Sequence, residues 1–261
     1  NISDWLDSMP ETIERELEVV RKQRPDLIVS DISIMPLMAG RKAGVRSAAI
    51  SNFTWSETLT LDEKSREFFV TAYSQADLVV RLPLGTEMRY PNRINVGLVA
   101  RKTTIGKTEI RRQLGLATDK KLVVVAVSGA GKIAFDKEND IEVLDISDYE
   151  TAMKLKELTN FVEGQNLIGA ADLVICKCGY GFVSECLSTG TRFRYVVEAA
   201  HREANEIHRF LERQGLKNRI EIGDLKEADL DTRFIENSPS LKMDLDNDNV
   251  AGRLLELASG S

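Results

Sequence analysis

The stretch ADLVICKCGYGFVSECLSTGTRFRYVV, residues 171–197, gathers the side chains and turns of this chain that could do chemistry. Three cysteines, a Gly-Tyr-Gly turn and a Ser-Glu pair all fall within residues 176–186. Cys176 and Cys178 are two apart on an apolar run that reads as a strand, so they share a face, and Cys186 lies on the helix that follows. A structural zinc site needs four ligands at spacings such as C-x2-C, and His201 or His208 would have to supply the fourth. C-x-C suits neither that geometry nor the redox spacing C-x-x-C. Small buried residues are the better account, and no metal ligand set is assigned.

The turn offers different chemistry. Gly179, Tyr180 and Gly181 join a buried strand to a helix, where unpaired amides and the helix dipole favour an anion such as a phosphate. Glycine also serves tight αβ turns with no ligand. Neither G-x-G-x-x-G nor G-x-x-x-x-G-K-[ST] is present. Glu185 falls one helical turn after Gly181, where its carboxylate could accept hydrogen bonds from paired ribose hydroxyls. It could equally be an acidic residue favoured by the dipole. A second glycine turn, Ser128-Gly129-Ala130-Gly131, ends another buried strand, and ligands gather at the carboxyl ends of parallel strands. In the first half of the chain, Asp31 closes the run DLIVSD as a base, an acceptor contact, or simply a turn or cap residue. Asn52, Thr54 and Trp55 stand at the next strand end, on the acceptor side. Trp55 could instead serve packing between lobes.

The elements that must position these residues alternate. DLIVSD (26–31), VRSAAIS (45–51), DLVVRLP (77–83) and RINVGLV (93–99) read as strands between helices at PETIERELEVVRKQRP, MPLMAGRKAG and 57–76. After a polar, basic linker at 98–109 the pattern resumes with TEIRRQLGL, KLVVVAVSGAG, IEVLDIS (141–147), the opening stretch, and REANEIHRFLERQGL. A polar tail and a closing helix at NVAGRLLELA end it. Strands alternating with helices of this length predict parallel sheets covered on both faces. The expectation is an α/β chain of two Rossmann-like lobes, residues 1–100 and 101–261. The first lobe, opening on a helix in mid-alternation, is expected to lack an N-terminal β-α unit. The short charged run KIAFDKEND stands after Gly131 where a helix should open against the sheet, a second candidate place for a missing segment.

Composition narrows the function. The 261 residues are 43% hydrophobic and 29% charged, with a formal charge of −6, which suits a soluble globular protein with substantial cores. There is no apolar run of the ~20 residues a bilayer span requires, although peripheral membrane contact stays open. The polar start predicts no secretory leader. No dense Lys/Arg block points to nucleic acid. Cysteines confined to one short stretch predict a reducing, cytoplasmic setting.

Residues 171–197 resemble the donor-binding signature of GT-B glycosyltransferases, in particular the family 28 branch that includes the peptidoglycan N-acetylglucosaminyltransferase. That pattern is an Ala-Asp-Leu-Val-Ile strand, a small-residue turn, Ser-Glu on a helix, then Gly before a strand. KLVVVAVSGAG is similar to the first strand and glycine loop of the same domain. RPDLIVSD and GVRSAAISNFTW resemble the other half, and SNFTW is similar to relatives fused to sugar kinases, such as the N-terminal part of L-arabinokinase. The resemblance implies a hexosyltransferase-type enzyme that moves a sugar from a nucleotide-sugar substrate, UDP-linked, to an acceptor, with no further cofactor. Helix amides rather than a metal would hold the diphosphate. On this resemblance Glu185, beside Ser184, binds the ribose, and Gly179, Tyr180, Gly181 and Phe182 form the diphosphate turn. Ser128, Gly129 and Gly131 border the cleft, and Glu203 contacts the donor sugar. The chain departs from the pattern at Ala204 and Ile207, where Gln and Asn are usual, and at Arg192 and Arg194 in a strand expected to be buried. These departures motivate the alternative of a non-catalytic nucleotide-binding or regulatory relative of the same fold.

Overall fold

The computed structural model describes residues 2–117, 119–127, 138–147, 164–197, 201–227 and 229–260. The chain divides into two compact units, Asn1–Gly97 with Asp246–Ser261, and Leu98–Leu245.

The first unit is built on α1 (Ile2–Gln23), whose Met9, Ile13, Leu17 and Val20 form one buried stripe at spacings of three and four. The helix ends ahead of Pro25, which disfavours helical backbone in the residue before it. Next come β1 (Leu27–Asp31), α2 (Met35–Ala43), β2 (Arg46–Ser51), α3 (Trp55–Thr58), α4 (Glu63–Ser74), β3 (Leu78–Arg81) and β4 (Arg93–Asn95). The four strands pair in chain order, all parallel, with Val29 opposite Ala48 and Ala49 opposite Val79. Phe69, Tyr73, Ile34 and Leu37 fill the core between helices and sheet.

Three expectations change here. The single helix expected over 57–76 is two, because Asp62 caps α4 by accepting from the Ser65 amide at 2.8 Å. The strand expected over 93–99 ends at Asn95, and the Gly97 amide donates to Asp246 Oδ2 at 2.7 Å. The closing helix, expected in the second lobe, packs on β1 and β2, where Arg46 Nη1 donates to the Leu257 carbonyl at 2.8 Å. It therefore belongs to the first unit.

The second unit contains α5 (Lys107–Gln113), β5 (Lys121–Ala126), β6 (Ile141–Asp145), α6 (Gly164–Ala170), β7 (Leu173–Lys177), α7 (Tyr180–Thr189), β8 (Arg192–Val196) and α8 (Arg202–Arg213). The polar tail, expected to be irregular, holds two short helices, α9 (Ile222–Glu227) and α10 (Thr232–Glu236), before α11 (Asn247–Ser259) closes the chain. The sheet is parallel in the order β6-β5-β7-β8. β5 and β7 are buried along almost their whole length, as their unbroken apolar runs require.

The arginines of β8 are explained by that order. β8 is the outer strand of the sheet, met beyond by the isolated Tyr195–Arg219 bridge and by the Pro239 carbonyl, which accepts from the Phe193 amide at 3.2 Å. Arg192 Nη1 reaches the Ser238 carbonyl at 2.9 Å, and Arg194 reaches the carbonyls of Lys217 and Asn237 while lying over the Phe234 ring. Phe193 and Tyr195 alternate inward and are fully buried.

Candidate functional site

In the second unit the chain goes from β5 outward to β6, then returns to place β7 on the other side of β5. Such a reversal opens a crevice at the carboxyl ends of the two central strands. The Gly179 turn stands there. Gly179 is the N-cap of α7 with extended backbone and no side-chain cap. Among the described residues, no acceptor lies within hydrogen-bonding reach of the Gly181 and Phe182 amides. Unpaired first-turn amides of this kind are the elements of an anion site. α8 begins alongside, with His201 as its N-cap, and Glu203 accepts from the Tyr180 amide at 3.3 Å. A pocket of about 190 Å³ lies between the two helix starts, lined by Lys177, Cys178, Gly179, Val196, His201, Glu203 and Ala204.

Glu185 is 4% exposed on α7, and its carboxylate accepts from Arg101 Nε at 2.6 Å. Arg101 belongs to the segment after Leu98, which is strapped along α6 and α7. The Tyr180 hydroxyl donates to the Val99 carbonyl at 3.1 Å, and Asn166 Oδ1 accepts from the Thr104 amide at 2.7 Å. From sequence this strap reads only as a polar, basic linker. Its partner Glu185 is 84 residues away. Ser184 is buried and its hydroxyl donates back to the Gly181 carbonyl at 3.1 Å. Ala204 and Ile207 occupy the buried face of α8, where apolar side chains pack on the sheet.

Ser128, Gly129 and Gly131 lie outside the described residues. In the first unit, Asp31 ends β1 beside Ile32, whose φ of 65° is strained for a β-branched residue. The Tyr73 hydroxyl holds that turn at the Ile32 carbonyl, 2.5 Å away. Desolvation pushes the Asp31 carboxyl above its usual range. Asp31 does not cap α2, whose N-cap is Ile34. Asn52 is 4% exposed, and its carbonyl accepts from the Thr86 amide at 2.9 Å. Thr54 is 1% exposed and shares a buried network with Ser56, Glu57 and Tyr90. Trp55 packs edge-on against Trp5 and Phe53, all within the first unit. Thr54 and Trp55 are thus engaged by the unit's own packing.

The cysteines are buried and unpaired by disulfide. Cys178 Sγ donates to the Ala204 carbonyl at 3.4 Å, and burial pushes its thiol up to about 12. Cys176 and Cys186 are raised by the same cause. At pH 8 a thiol of that pKa holds only ~10⁻⁴ thiolate, and the thiolate is the reactive form. Native protein treated with Ellman's reagent is therefore expected to leave its thiols unmodified over the minutes in which urea-unfolded chain releases all three equivalents. Rapid labelling of a native thiol overturns that. Asp-x-Asp spacings occur at Asp229–Asp231, Asp244–Asp246 and Asp246–Asp248. Asp231 caps α10 through the Phe234 amide, and Asp246 accepts from Gly97 and Asn249.

No family model matches the chain. It is 28% identical over 208 residues to an L-arabinokinase of Arabidopsis thaliana, a match over 71% of this chain and 19% of that protein. The chain thus spans about a fifth of the length of that relative. Among solved structures it is similar to the glycosyltransferase SnogD from Streptomyces nogalater, with a TM-score of 0.55 and 16% identity over 93% of this chain and 75% of that one. It is also similar to the glycosyltransferase VinC in complex with dTDP (TM-score 0.57, 13% identity, 95% and 76% covered). The spinosyn rhamnosyltransferase SpnG compares likewise (TM-score 0.57, 14% identity, 98% and 74% covered). With two parallel four-stranded α/β units in succession, the chain has the fold of the GT-B glycosyltransferases.

Proposed function

We propose that this chain binds a nucleotide-sugar at the α7 turn and takes part in transferring its sugar to an acceptor. The observation that carries the reading is the uncapped α7 start at the carboxyl end of β7, with two first-turn amides that find no acceptor among the described residues and buried Glu185 one turn below. The diphosphate would lie on those amides and the ribose hydroxyls on the Glu185 carboxylate, displacing Arg101. An acceptor hydroxyl would attack the anomeric carbon, lose its proton to a base, and expel the nucleoside diphosphate. Helix amides would carry the developing charge. The dTDP held by the VinC relative supports a nucleoside-diphosphate-linked donor, UDP-linked on the resemblance of residues 171–197, and three buried free thiols support a reducing, cytoplasmic setting.

Calorimetric titration with UDP, UDP-sugars, GDP and dTDP tests the reading. One uridine or thymidine diphosphate is expected to bind, unaffected by EDTA, and Glu185→Ala is expected to weaken it roughly 10- to 100-fold, the worth of charge-assisted hydrogen bonds to a ribose. Absence of binding by any nucleotide overturns the proposal.

A second reading, a binding or regulatory relative without catalysis, is favoured by one specific observation. Three side chains of the site already have protein partners: Glu185 with Arg101, Tyr180 with the Val99 carbonyl, and Glu203 with the Tyr180 amide. Nucleotide binding without donor hydrolysis or sugar transfer would select it.

A further inference from the structure

The amino ends of β5 and β7, at the opposite edge of the second sheet from the α7 turn, border a cavity of about 560 Å³. That volume suits a small organic ligand. Its wall carries five cationic side chains, Lys107, Arg111, Arg112, Lys120 and Lys121, against two carboxylates, Asp119 and Asp172. In a chain with a formal charge of −6 this is a local reversal of sign.

The cations differ in what holds them. The Arg111 side chain is 11% exposed, fixed by the Lys120 and Ala170 carbonyls and by Asp172 Oδ2 at 3.1 Å. Lys107 takes the other Asp172 oxygen at 2.9 Å, so that carboxylate already balances two of the cations. From beyond the lining, Glu109 holds Arg112 and Glu142 holds Lys120 at 3.3 Å. Among the described residues Lys121 has no carboxylate within ion-pair reach. The wall therefore combines a rigid, nearly buried guanidinium, a lysine with no carboxylate partner among the described residues, and more exposed cations each paired with one carboxylate. Thr108 and Leu116 add a hydroxyl and an apolar surface.

We propose that this cavity binds a small phosphate ester, its phosphate between Lys121 and Arg112 and its organic part against Leu116. A phosphate monoester carries close to two negative charges at neutral pH, which the unbalanced wall accommodates and a neutral ligand does not. The site is separate from the α7 turn and does not depend on that turn's assignment.

The test is calorimetric titration of the whole chain with phenyl phosphate at low ionic strength. Binding at a Kd of roughly 1 mM or tighter is expected, with loss at about 0.5 M salt through screening. Lys121→Gln with Arg112→Gln, compared with the parent only after its melting temperature has been measured, is expected to weaken it at least tenfold, since each charge-assisted contact is worth about a tenfold factor or more. Saturating UDP is expected to leave the titration unchanged. The proposal is overturned if phenyl phosphate does not bind, if the double variant binds it equally well, or if UDP competes. Sedimentation with phosphatidylglycerol vesicles without binding of the soluble ester also overturns it.

Discussion

Replacement of Gly85 by alanine is expected to unfold the first unit. A Cβ at this position would overlap the Asn52 carbonyl oxygen, with the carbonyl carbon 2.5 Å and the Asn52 Cα 2.8 Å away. Every one of these atoms is backbone, at the carboxyl end of β2, so no rotamer change relieves the clash. The loop would have to lift off, and its anchors would go with it. These are the Thr86 amide on the Asn52 carbonyl at 2.9 Å, Arg81 Nη2 on the Gly85 carbonyl at 3.1 Å, and Glu57 Oε1 accepting from the Met88 amide at 2.9 Å. Leu84 and Met88, held in left-handed backbone at φ 63° and 48°, keep those conformations only while the contacts persist. Loss of about 3 kcal/mol or more is expected, within the range for overpacking and broken buried networks. The measurement is direct, because both tryptophans of the chain, Trp5 and Trp55, sit in this unit with ring centroids 6.3 Å apart. Tryptophan fluorescence in a urea titration reads the first unit alone. A midpoint within error of the parent protein would show that the loop can move at no cost.

Gly85 was not among the residues that the sequence singled out, and the reason is physical. A glycine in a polar loop reads as a turn, whereas its necessity comes from a carbonyl 33 positions earlier that only the fold brings near. The same divide runs through the whole chain. β5 and β7 were legible because parallel strands buried on both faces are unbroken apolar runs, the other strands because short apolar, β-branched stretches alternate with helical patterns, and the helix ends at Gly44, Gly115 and Gly215 were legible because left-handed caps call for glycine. The α3–α4 break was missed because Asp62 reads as one polar residue in a helical pattern until its capping bond is seen. The strand order was also hidden. Arg192 and Arg194 looked wrong for a buried strand, and they fit once β8 is the outer one. At the candidate site, the local motif located the α7 turn and the buried Glu185. It could not show that Arg101 occupies that carboxylate, or that Thr54 and Trp55 are committed to the first unit's packing.

The largest effect expected in the second unit comes from Asp172, whose side chain is 19% exposed. Its two oxygens accept from the Lys107 ammonium, the Arg111 guanidinium and the Leu122 amide at 2.8 Å, joining α5 to the amino ends of β5 and β7. Asp172→Ala leaves the Arg111 charge nearly buried without a counter-ion, a loss expected to cost about 3 kcal/mol. Arg111→Met removes that charge, so Asp172→Ala is expected to cost clearly less in the Arg111→Met background than alone. Equal costs in the two backgrounds would mean that the ion pair contributes nothing and that the Leu122 amide carries the effect. The pH dependence carries a sign that separates this group from others. Burial raises the Asp172 pKa, but the Leu122 amide, Lys107 and Arg111 outweigh it, and the net shift is downward. A carboxyl with a depressed folded pKa contributes stability that is fully present above its unfolded value of about 3.9 and lost as pH falls through the folded one. Far-UV circular dichroism melts between pH 7 and pH 3 are therefore expected to show the parent losing its advantage over Asp172→Ala only at the acid end. A difference that vanishes already at pH 5 would place the responsible titration on another residue.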